Sequence, residues 1–283
     1  MPEAHDIEIR KNVEFVVHDD AVLTGDYYEP PGAGPYPALI ALHGGFWKRG
    51  TAEGYQYWGP FLAQHGYVLF SINYRLLDGT RNRYPAAVHD TGAAVQFLRS
   101  KAAAFKVDPK RIGFIGDSAG AHLAALVALA GDTPPFSSHP NDSSAGVSTR
   151  VKVVVGVYGS YDLLAQWQHD QVARPRDQVT EIWLGKSPME SKQLFYEASP
   201  LTYTTIDNNQ TAFLIVWGTE DDIVDPRSQS EMFVTALKQA GFFVRTVIVP
   251  GAPHFWMWDP IDEPNSYTGI LAPRLLRFLQ NQL

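Results

Sequence analysis

Near-continuous apolar runs of strand length alternate with segments of helical periodicity along most of this 283-residue chain. The first two extended segments, residues 7–18 and 22–29, alternate in polarity and indicate an antiparallel sheet edge. The later apolar runs are 38–42, 67–72, 112–115, 151–158, 212–217 and 244–249, and the helical segments are 55–64, 86–103, 119–130, 227–240 and 270–283. Buried parallel strands are typically apolar throughout and are joined by helices. The pattern therefore predicts an α/β fold with a mostly parallel central sheet and helices on both faces.

One stretch, residues 160–207, breaks the alternation. It has helix-like pieces around Trp183 and Phe195 but no strong strand. A prior of roughly 150 residues per domain allows one or two domains, because open-sheet α/β folds often exceed it as one unit. We therefore predict a single domain over residues 1–283 with a cap-like insertion at about 160–207.

Composition and charge argue against several classes of protein. Lys and Arg total 23 against 30 Asp and Glu, a net charge of −7, whereas a nucleic-acid binder normally has a basic excess. The chain has no cysteine, which excludes disulfides, thiolate metal sites and cysteine nucleophiles. The histidines lack metal-ligand spacing, so neither a metal nor a cofactor is expected.

The start of the chain, MPEAHDIEIRK, lacks the apolar run after positive charge that a secretory signal needs. The longest apolar stretch, residues 119–130, is too short to span a bilayer. We therefore expect a cytoplasmic protein without membrane insertion that acts on a small molecule. A homodimer is a further expectation.

The pentapeptide Gly116-Asp117-Ser118-Ala119-Gly120 follows one apolar run and precedes a helical segment. In this strand–turn–helix setting, Gly-x-Ser-x-Gly is typical of a nucleophile elbow, which lifts the serine hydroxyl above the sheet. The two glycines allow the tight turn, and the helix N-terminus behind the serine favours developing negative charge. A glycine-rich turn with an incidental serine is the alternative, and the context favours Ser118 as a nucleophile.

A second glycine-rich segment, HGGFW at 43–47, follows the apolar run 38–42. An oxyanion hole needs backbone N–H groups aimed at the substrate carbonyl oxygen, and small residues let the chain approach. With the N–H after the nucleophile, this predicts Gly45, Phe46 and Ala119 as the donors, with Gly44 as an alternative to one of them.

A serine nucleophile needs a histidine base and an acid that orients it, in the chain order Ser, acid, His for this kind of sheet. Among the histidines beyond Ser118, only His254 follows a late strand, which indicates His254 as the base. The acid should follow the strand before that one, where Glu220, Asp221 and Asp222 compete.

Together these segments resemble the α/β-hydrolase superfamily, and more narrowly its carboxylesterases with HGG and GDSAG motifs. HGG at 43–45 and GDSAG at 116–120 are similar to the hormone-sensitive-lipase-type group. Other segments resemble the branch that contains bifunctional feruloyl and acetyl-xylan esterases, namely NYRL at 73–76, DPKRI at 108–112, YGSYDL at 158–163 and ASPL at 198–201. GTED at 218–221 matches the acid motif of that branch, which implies Asp221 as the acid and leaves Asp222 as the alternative.

The resemblance, which runs from about Pro37 to the C-terminus, implies a serine carboxylic-ester hydrolase. It would act on short-acyl or aryl esters through an acyl-enzyme. Phe46 stands where the lipase-type motif HGGG has its third glycine. With Trp47 next, the segment resembles the HGG-x-Trp motif of hydrolases that include arylformamidases. A formamide or amide hydrolase with the same triad is therefore one alternative, and a catalytically silent binding protein is another. Aromatic residues near the two motifs and in the insertion are expected to line the substrate pocket: Trp47, Trp167, Trp183, Phe255 and Trp256.

Overall fold

A computed structural model describes residues 7–137, 139 and 146–283 and contains one eight-stranded sheet. The strands are β1 (Glu8–His18), β2 (Ala21–Glu29), β3 (Tyr36–Leu42), β4 (Val68–Ile72), β5 (Val107–Asp117), β6 (Val153–Val157), β7 (Ala212–Gly218) and β8 (Val244–Val249). Their order is β1-β2-β4-β3-β5-β6-β7-β8. β1 and β2 pair antiparallel, β2 pairs antiparallel with β4, and the remaining neighbours are parallel. The predicted α/β architecture with its antiparallel edge is confirmed.

Eight α-helices connect or flank these strands within the described residues. They are α1 (Trp58–Gln64), α2 (Ala86–Ser100), α3 (Ala119–Ala130), α4 (Leu163–Ala173), α5 (Val179–Leu184), α6 (Lys192–Glu197), α7 (Met232–Gln239) and α8 (Tyr267–Gln282). Helix α8 begins three residues before the predicted start because the Ser266 hydroxyl caps it by accepting a hydrogen bond from the Gly269 N–H. The predicted helix 227–240 begins instead with a π-helical turn, Arg227–Glu231, and continues as α7.

The sheet separates two hydrophobic cores, because successive side chains of a strand point to opposite faces. In β3, Ile40 joins the core that contains residues of α2, α3 and α7. Its neighbours Leu39 and Ala41 join the core that contains residues of α1 and α8. Helices therefore cover both faces, as the continuously apolar strands predicted.

The segment between β6 and β7 contains α4, α5 and α6, so the stretch predicted to lack strands lacks them in the structure. Asp162 begins α4 by accepting hydrogen bonds from the N–H groups of Leu164 and Ala165. The segment packs onto α3, where the Ala198 carbonyl bonds to the His122 ring. The carboxyl ends of β5, β7 and β8 lie at one edge of the sheet, and the predicted site residues lie just beyond them. In the described part of the chain, no helix has the length and apolar character needed to cross a membrane.

Candidate active site

Ser118 lies at the tight turn between β5 and α3. Its backbone has φ 51° and ψ −117°, a conformation that L-residues rarely adopt and that costs energy unless the surroundings hold it. Close backbone packing around the turn holds it, and this packing requires glycine at two positions. A Cβ on Gly120 would lie 1.9 Å from the Leu42 carbonyl oxygen, and one on Gly116 would lie 2.5 Å from the Gly120 backbone. The Ser118 N–H donates to the Val157 carbonyl, which ties the turn to β6.

The Ser118 hydroxyl contacts a histidine, which in turn contacts a carboxylate, and these two residues come from two other loops. His254, in the loop after β8, places Nε2 3.0 Å from Ser118 Oγ and Nδ1 2.7 Å from Asp221 Oδ2. All three residues are buried. Because a carboxylate accepts, the contact to Asp221 holds the proton on Nδ1 and leaves Nε2 to accept the serine proton.

The contacts of Asp221 distinguish it from the neighbouring acidic residues. Its Oδ1 accepts hydrogen bonds from the N–H groups of Ile223 and Val224, at 3.0 and 2.9 Å, which aims Oδ2 at His254. Glu220 and Asp222 are exposed. The Asp225 carboxylate instead accepts from the Ser228 N–H at the start of the next helical turn. The structure thus brings Asp221, and not the alternative Asp222, against the histidine.

The segment after β3 forms a turn with three successive left-handed residues, Gly45 at φ 116°, Phe46 at φ 58° and Trp47 at φ 58°. The Gly45 carbonyl accepts from the N–H groups of Lys48 and Arg49, and a Cβ on Gly45 would lie 2.1 Å from the Arg49 carbonyl oxygen. This turn brings Phe46 to the same cleft as Ser118 and Ala119.

The N–H of Gly44 is not available to a substrate, because it donates to Asp117 Oδ1 at 3.1 Å. The N–H groups of Gly45, Phe46 and Ala119 have no hydrogen-bond acceptor within the described residues. The arrangement favours these three donors over Gly44.

Asp117 has a structural position that the sequence reasoning missed. The residue is 1% exposed, and its Oδ1 accepts from Gly44 N, Tyr55 OH and Trp258 Nε1 at 3.1, 3.1 and 3.4 Å. Burial raises the pKa of this carboxyl to about 7. Since Asp117 adjoins Ser118, it links the serine turn directly to the glycine-rich turn. Its variable place within Gly-x-Ser-x-Gly gave no sequence signal for this role.

Two other buried histidines near Ser118 make structural contacts. His43 Nδ1 lies 2.8 Å from the Gly44 carbonyl oxygen and its ring stacks on Tyr74. His122 accepts from Trp47 Nε1 at Nδ1 and donates from Nε2 to the Ala198 carbonyl. Burial lowers the pKa of each to about 4, so both rings are neutral at pH 7.

The predicted pocket aromatics occupy different places. Trp47 lines the cleft beside Ser118, and Phe255, half exposed, packs edge-on against Phe46 and His254. Trp183 is fully buried behind Trp47, with the two rings stacked at 4.4 Å. The expectation that Trp183 borders the substrate directly is therefore wrong, because Trp47 covers it.

Trp256 and Trp167 also lie outside the cleft. Trp256 is buried in the core that contains residues of α1 and α8, against Tyr158 and Tyr267, so its assignment to the substrate pocket is wrong. Trp167 packs on the opposite core and donates from Nε1 to Glu181. Helical periodicity explains its displacement, since Gln166 and Asp170, four residues apart on α4, face the cleft in its place.

The cleft beside Ser118 is small, and only about 10 Å³ of it is open to the centre of a water molecule. Phe46, Trp47 and Ala119 form one side, Val224 closes an end, and polar residues of the inserted segment form the other side: Ser160, Gln166, Asp170 and Thr180. The sequence pattern predicted aromatic residues of the insertion at the cleft and did not predict this polar side. Among the described residues, no three His, Cys, Asp or Glu side chains lie close enough together to hold a metal ion.

Residues 26–237 match the family model described as BD-FAE. The chain belongs to the BD-FAE family. Among curated proteins, it is 31% identical to esterase LipC of Mycobacterium tuberculosis over 255 residues, which cover 87% of this chain and 58% of LipC. It is 28% identical to a probable isoprenylcysteine alpha-carbonyl methylesterase of Oryza sativa, over 83% of this chain and 55% of that protein. This BD-FAE member thus spans little more than half the length of these curated relatives.

Solved structures share the fold of this BD-FAE member at low identity. Thermogutta terrifontis esterase 2 has a TM-score of 0.78 at 22% identity, over 99% of this chain and 96% of that chain. An acetyl ester-xyloside bifunctional hydrolase from Caldicellulosiruptor lactoaceticus has a TM-score of 0.76 at 21% identity, over 93% and 89%. The fold is the α/β-hydrolase fold.

Proposed function

We propose that this BD-FAE family member is a serine carboxylic-ester hydrolase, with Ser118, His254 and Asp221 as its catalytic residues. The single observation that carries the proposal is the continuous hydrogen-bonded chain from Ser118 Oγ through His254 to Asp221 Oδ2, at 3.0 and 2.7 Å. All three residues are largely shielded from bulk solvent. Relatives named as esterases support the same activity.

The arrangement supports acyl transfer in two halves. In the first, His254 Nε2 accepts the Ser118 proton as Oγ attacks the ester carbonyl, and Asp221 stabilises the imidazolium that forms. The carbonyl oxygen becomes an oxyanion and accepts hydrogen bonds from the N–H groups of Gly45, Phe46 and Ala119. The intermediate collapses to an acyl-enzyme as His254 gives its proton to the departing alkoxide, which leaves as the alcohol.

Water completes the second half. His254 accepts a proton from a water molecule, whose oxygen attacks the acyl carbon, and the same N–H groups hold the second oxyanion. The bond to Ser118 Oγ then breaks, the proton returns to the serine, and the carboxylic acid is released. The N-terminus of α3 lies directly behind Ser118, so its dipole favours both oxyanions.

We propose short-acyl and aryl esters as the substrates. The cleft is small and is closed on one side by the stacked pair Trp47 and Trp183, which limits the acyl group. An ethyl acetate hydrolase of Pseudomonas putida is 26% identical over 87% of this chain and 75% of that protein. The named activity of that relative supports a small acyl group here.

Formamide hydrolysis is less well supported. Only Trp47 suggests it, and Trp47, a wall of the cleft, is held by stacking on Trp183 and by a hydrogen bond from its Nε1 to His122. The relatives, in contrast, are named as esterases. A silent binding protein is also less well supported, since the serine, the histidine, the acid and the glycine-rich turn lie together.

A chromogenic short-acyl ester assay on the wild type and Ser118→Ala tests the proposal, with a formyl-anilide assayed in parallel. We expect ester hydrolysis by the wild type, its loss in the variant, and slower turnover of the anilide. Faster hydrolysis of the anilide would favour the formamidase alternative, and no Ser118-dependent hydrolysis of either compound would contradict the proposal.

The cytoplasmic location, the small-molecule ester as partner and a homodimer remain predictions from the sequence. Fractionation of cells that express the protein tests the first of these, and sedimentation of the purified chain tests the last.

A further inference from the structure

The cleft beside Ser118 has a polar side with hydrogen-bonding capacity that the protein does not use. Ser160, Gln166, Asp170 and Thr180 form this polar side, and each is at most 5% exposed. Buried polar groups in native proteins are almost always hydrogen-bonded to protein or water, so groups without a protein partner beside a nucleophile are available to bind a ligand.

Asp170 has one carboxylate oxygen occupied and one open. Its Oδ1 accepts from Gln166 Nε2 at 2.9 Å and from Arg174 Nη2. Its Oδ2 receives no hydrogen bond from any described residue, and it is not sealed from the cleft. A residue that lines the cleft with Ser118 therefore has an acceptor oxygen without a partner among the described residues.

Two hydroxyl groups on the same side of the cleft can also make further hydrogen bonds. Within the described chain the Thr180 hydroxyl has no hydrogen-bond partner, and it too is not sealed off. Ser160 Oγ lies 3.5 Å from Gln166 Oε1, at the long limit of a hydrogen bond. The polar side thus presents one acceptor and two groups that can either donate or accept.

The inserted segment holds this arrangement in place. Gln166 Nε2 and Arg174 Nη2 both donate to the Ile223 carbonyl at 3.0 Å as well as to Asp170. The Ile223 N–H in turn donates to Asp221 Oδ1. Asp170 is therefore fixed relative to the loop that carries the acid of the proposed triad.

The cleft lies on the acyl side of the proposed reaction. The departing alkoxide must receive its proton from His254 Nε2, so the alcohol part of the ester lies next to His254. Neither His254 nor Phe255 lines the cleft, which is bounded instead by Ala119, Phe46 and the insertion. The acyl substituent, which stays attached to Ser118 after the alcohol leaves, is the part that enters it.

We propose that the cleft selects short acyl groups that carry a hydroxyl group, which donates to Asp170 Oδ2 and accepts from Thr180 or Ser160. The inference rests on the proposed ester hydrolysis and specifies its substrate class. An alkyl group of the same size would remove water from the Asp170 carboxylate without replacing the hydrogen bond, and sites of this kind discriminate strongly against such analogues.

The experiment compares kcat/KM for pairs of esters with the same leaving group, glycolyl against propionyl and 3-hydroxypropionyl against butyryl. The hydroxyl preference is the kcat/KM of the hydroxylated ester divided by that of its alkyl partner. Dividing the hydroxyl preference of the wild type by that of Asp170→Leu cancels the intrinsic reactivity of each ester. We expect this quotient to be about 10 to 100, the range for a hydrogen bond to a charged group. Thr180→Val, which keeps the side-chain shape, should lower the hydroxyl preference by a smaller factor. If Asp170→Leu does not fold, the hydroxyl preference of Thr180→Val tests the inference.

Asp177→Leu is the matched control, because Asp177 makes an exposed ion pair with Lys48 and the same substitution there removes the same charge. Its hydroxyl preference should equal that of the wild type. Ser118-dependent hydrolysis with an unchanged hydroxyl preference in Asp170→Leu and Thr180→Val would overturn the inference and leave the proposed function standing. Absence of Ser118-dependent hydrolysis of all four esters would contradict the proposed function itself.

A second arm compares glycerol monoacetate with propyl acetate, where the hydroxyl groups are on the alcohol. We expect no effect of Asp170→Leu on that ratio. An Asp170-dependent preference for the glycerol ester would assign the cleft to the alcohol part and overturn the inference.

Discussion

The two carboxylate oxygens of Asp221 have different partners. Oδ1 is held by two backbone N–H groups and Oδ2 bonds to His254, so the side chain cannot rotate without losing these three hydrogen bonds. Asp222 is exposed, and among the described residues its backbone carbonyl, but not its carboxylate, is hydrogen-bonded, to His169. The difference between these adjacent residues predicts opposite results from the same substitution.

Asp221→Asn should lower kcat by about 10⁴ at neutral pH, because an amide N–H facing Nδ1 holds the histidine in the wrong tautomer. Asp222→Asn, the matched control, should stay within a few-fold of the wild type. Steady-state kinetics with one short-acyl ester measures both, and the reverse ranking would make Asp222 the acid.

Asp117 predicts a pH dependence of stability. An unfolded Asp titrates near 3.9, whereas burial raises the pKa of Asp117 to about 7 in the fold, so the folded state binds the extra proton between these values. Its contribution to the free energy of unfolding is complete below about pH 4 and is lost as the pH rises through 7. The loss is at most about 4 kcal/mol, from the size of the pKa shift.

Asp117→Asn has no such proton to lose, so its free energy of unfolding should fall less than that of the wild type between pH 5 and pH 8. Urea unfolding at the two pH values measures this, with the exposed Asp177→Asn as a control that follows the wild type. Identical pH profiles for Asp117→Asn and the wild type would show that Asp117 is not the source.

At the scale of elements, the packing of α3 against β3 requires a glycine. The backbone of Gly120 approaches the Leu42 carbonyl so closely that any Cβ would overlap it, and Gly116 packs against Gly120 in the same way. Gly92, inside α2, is a contrasting helical glycine, since a Cβ there meets only a Thr149 methyl at an ordinary 3.4 Å.

Gly120→Ala should therefore lower the free energy of unfolding by several kcal/mol, on the order of a buried steric clash, and displace Ser118. Gly92→Ala should leave stability unchanged or raise it by about 0.5 to 1 kcal/mol, from the higher helix propensity of alanine. Urea unfolding of the two variants measures the contrast, and equal stabilities would refute the close approach of α3 to β3.

The contact between the turn after β3 and the inserted segment limits the acyl chain. Trp47 lines the cleft and is backed by Trp183, so a longer chain meets a stacked pair of indoles and gains only about 0.8 kcal/mol per buried methylene. We expect kcat/KM to fall beyond roughly six acyl carbons, an extrapolation from that small gain.

Trp47→Ala should extend the range of accepted chains, measured with an ester series from acetyl to dodecanoyl on protein shown to be folded. Phe255→Ala is the control, because Phe255 packs on the His254 side and should not move the limit. A plateau or rise through dodecanoyl esters in the wild type would contradict the placement of Trp47 as a wall.

At the scale of the whole molecule, the fold was predictable because the spacing of apolar residues in each segment follows the faces on which that segment is buried. Strands such as β3, β4 and β6 are buried on both faces and therefore apolar throughout, which makes them visible in the sequence. Helix ends were less predictable, as at α8, because a single capping hydroxyl decides them.

The candidate site was predictable where backbone geometry constrains residue type, and less so elsewhere. The glycines around Ser118 and at Gly45 are required by close approach or positive φ, so their pattern marks the turns. The direction of Trp256 into the core and of Asp170 into the cleft depends on tertiary packing, which leaves no local signal. Asp117 was missed for the same reason, since its partners come from distant segments.

The central claim is that the Ser118 hydroxyl, activated by His254, carries the acyl group of the substrate. Mixing the enzyme with excess chromogenic acetate ester, quenching in acid and locating the acetyl group by mass spectrometry of peptides tests it most directly. We predict one acetyl group per chain, on Ser118, with none in Ser118→Ala and formation slower by roughly 10³-fold or more in His254→Ala, since triad members act as a unit. An acetyl group on another residue in the wild type, or product formation by Ser118→Ala at the wild-type rate, would contradict the claim.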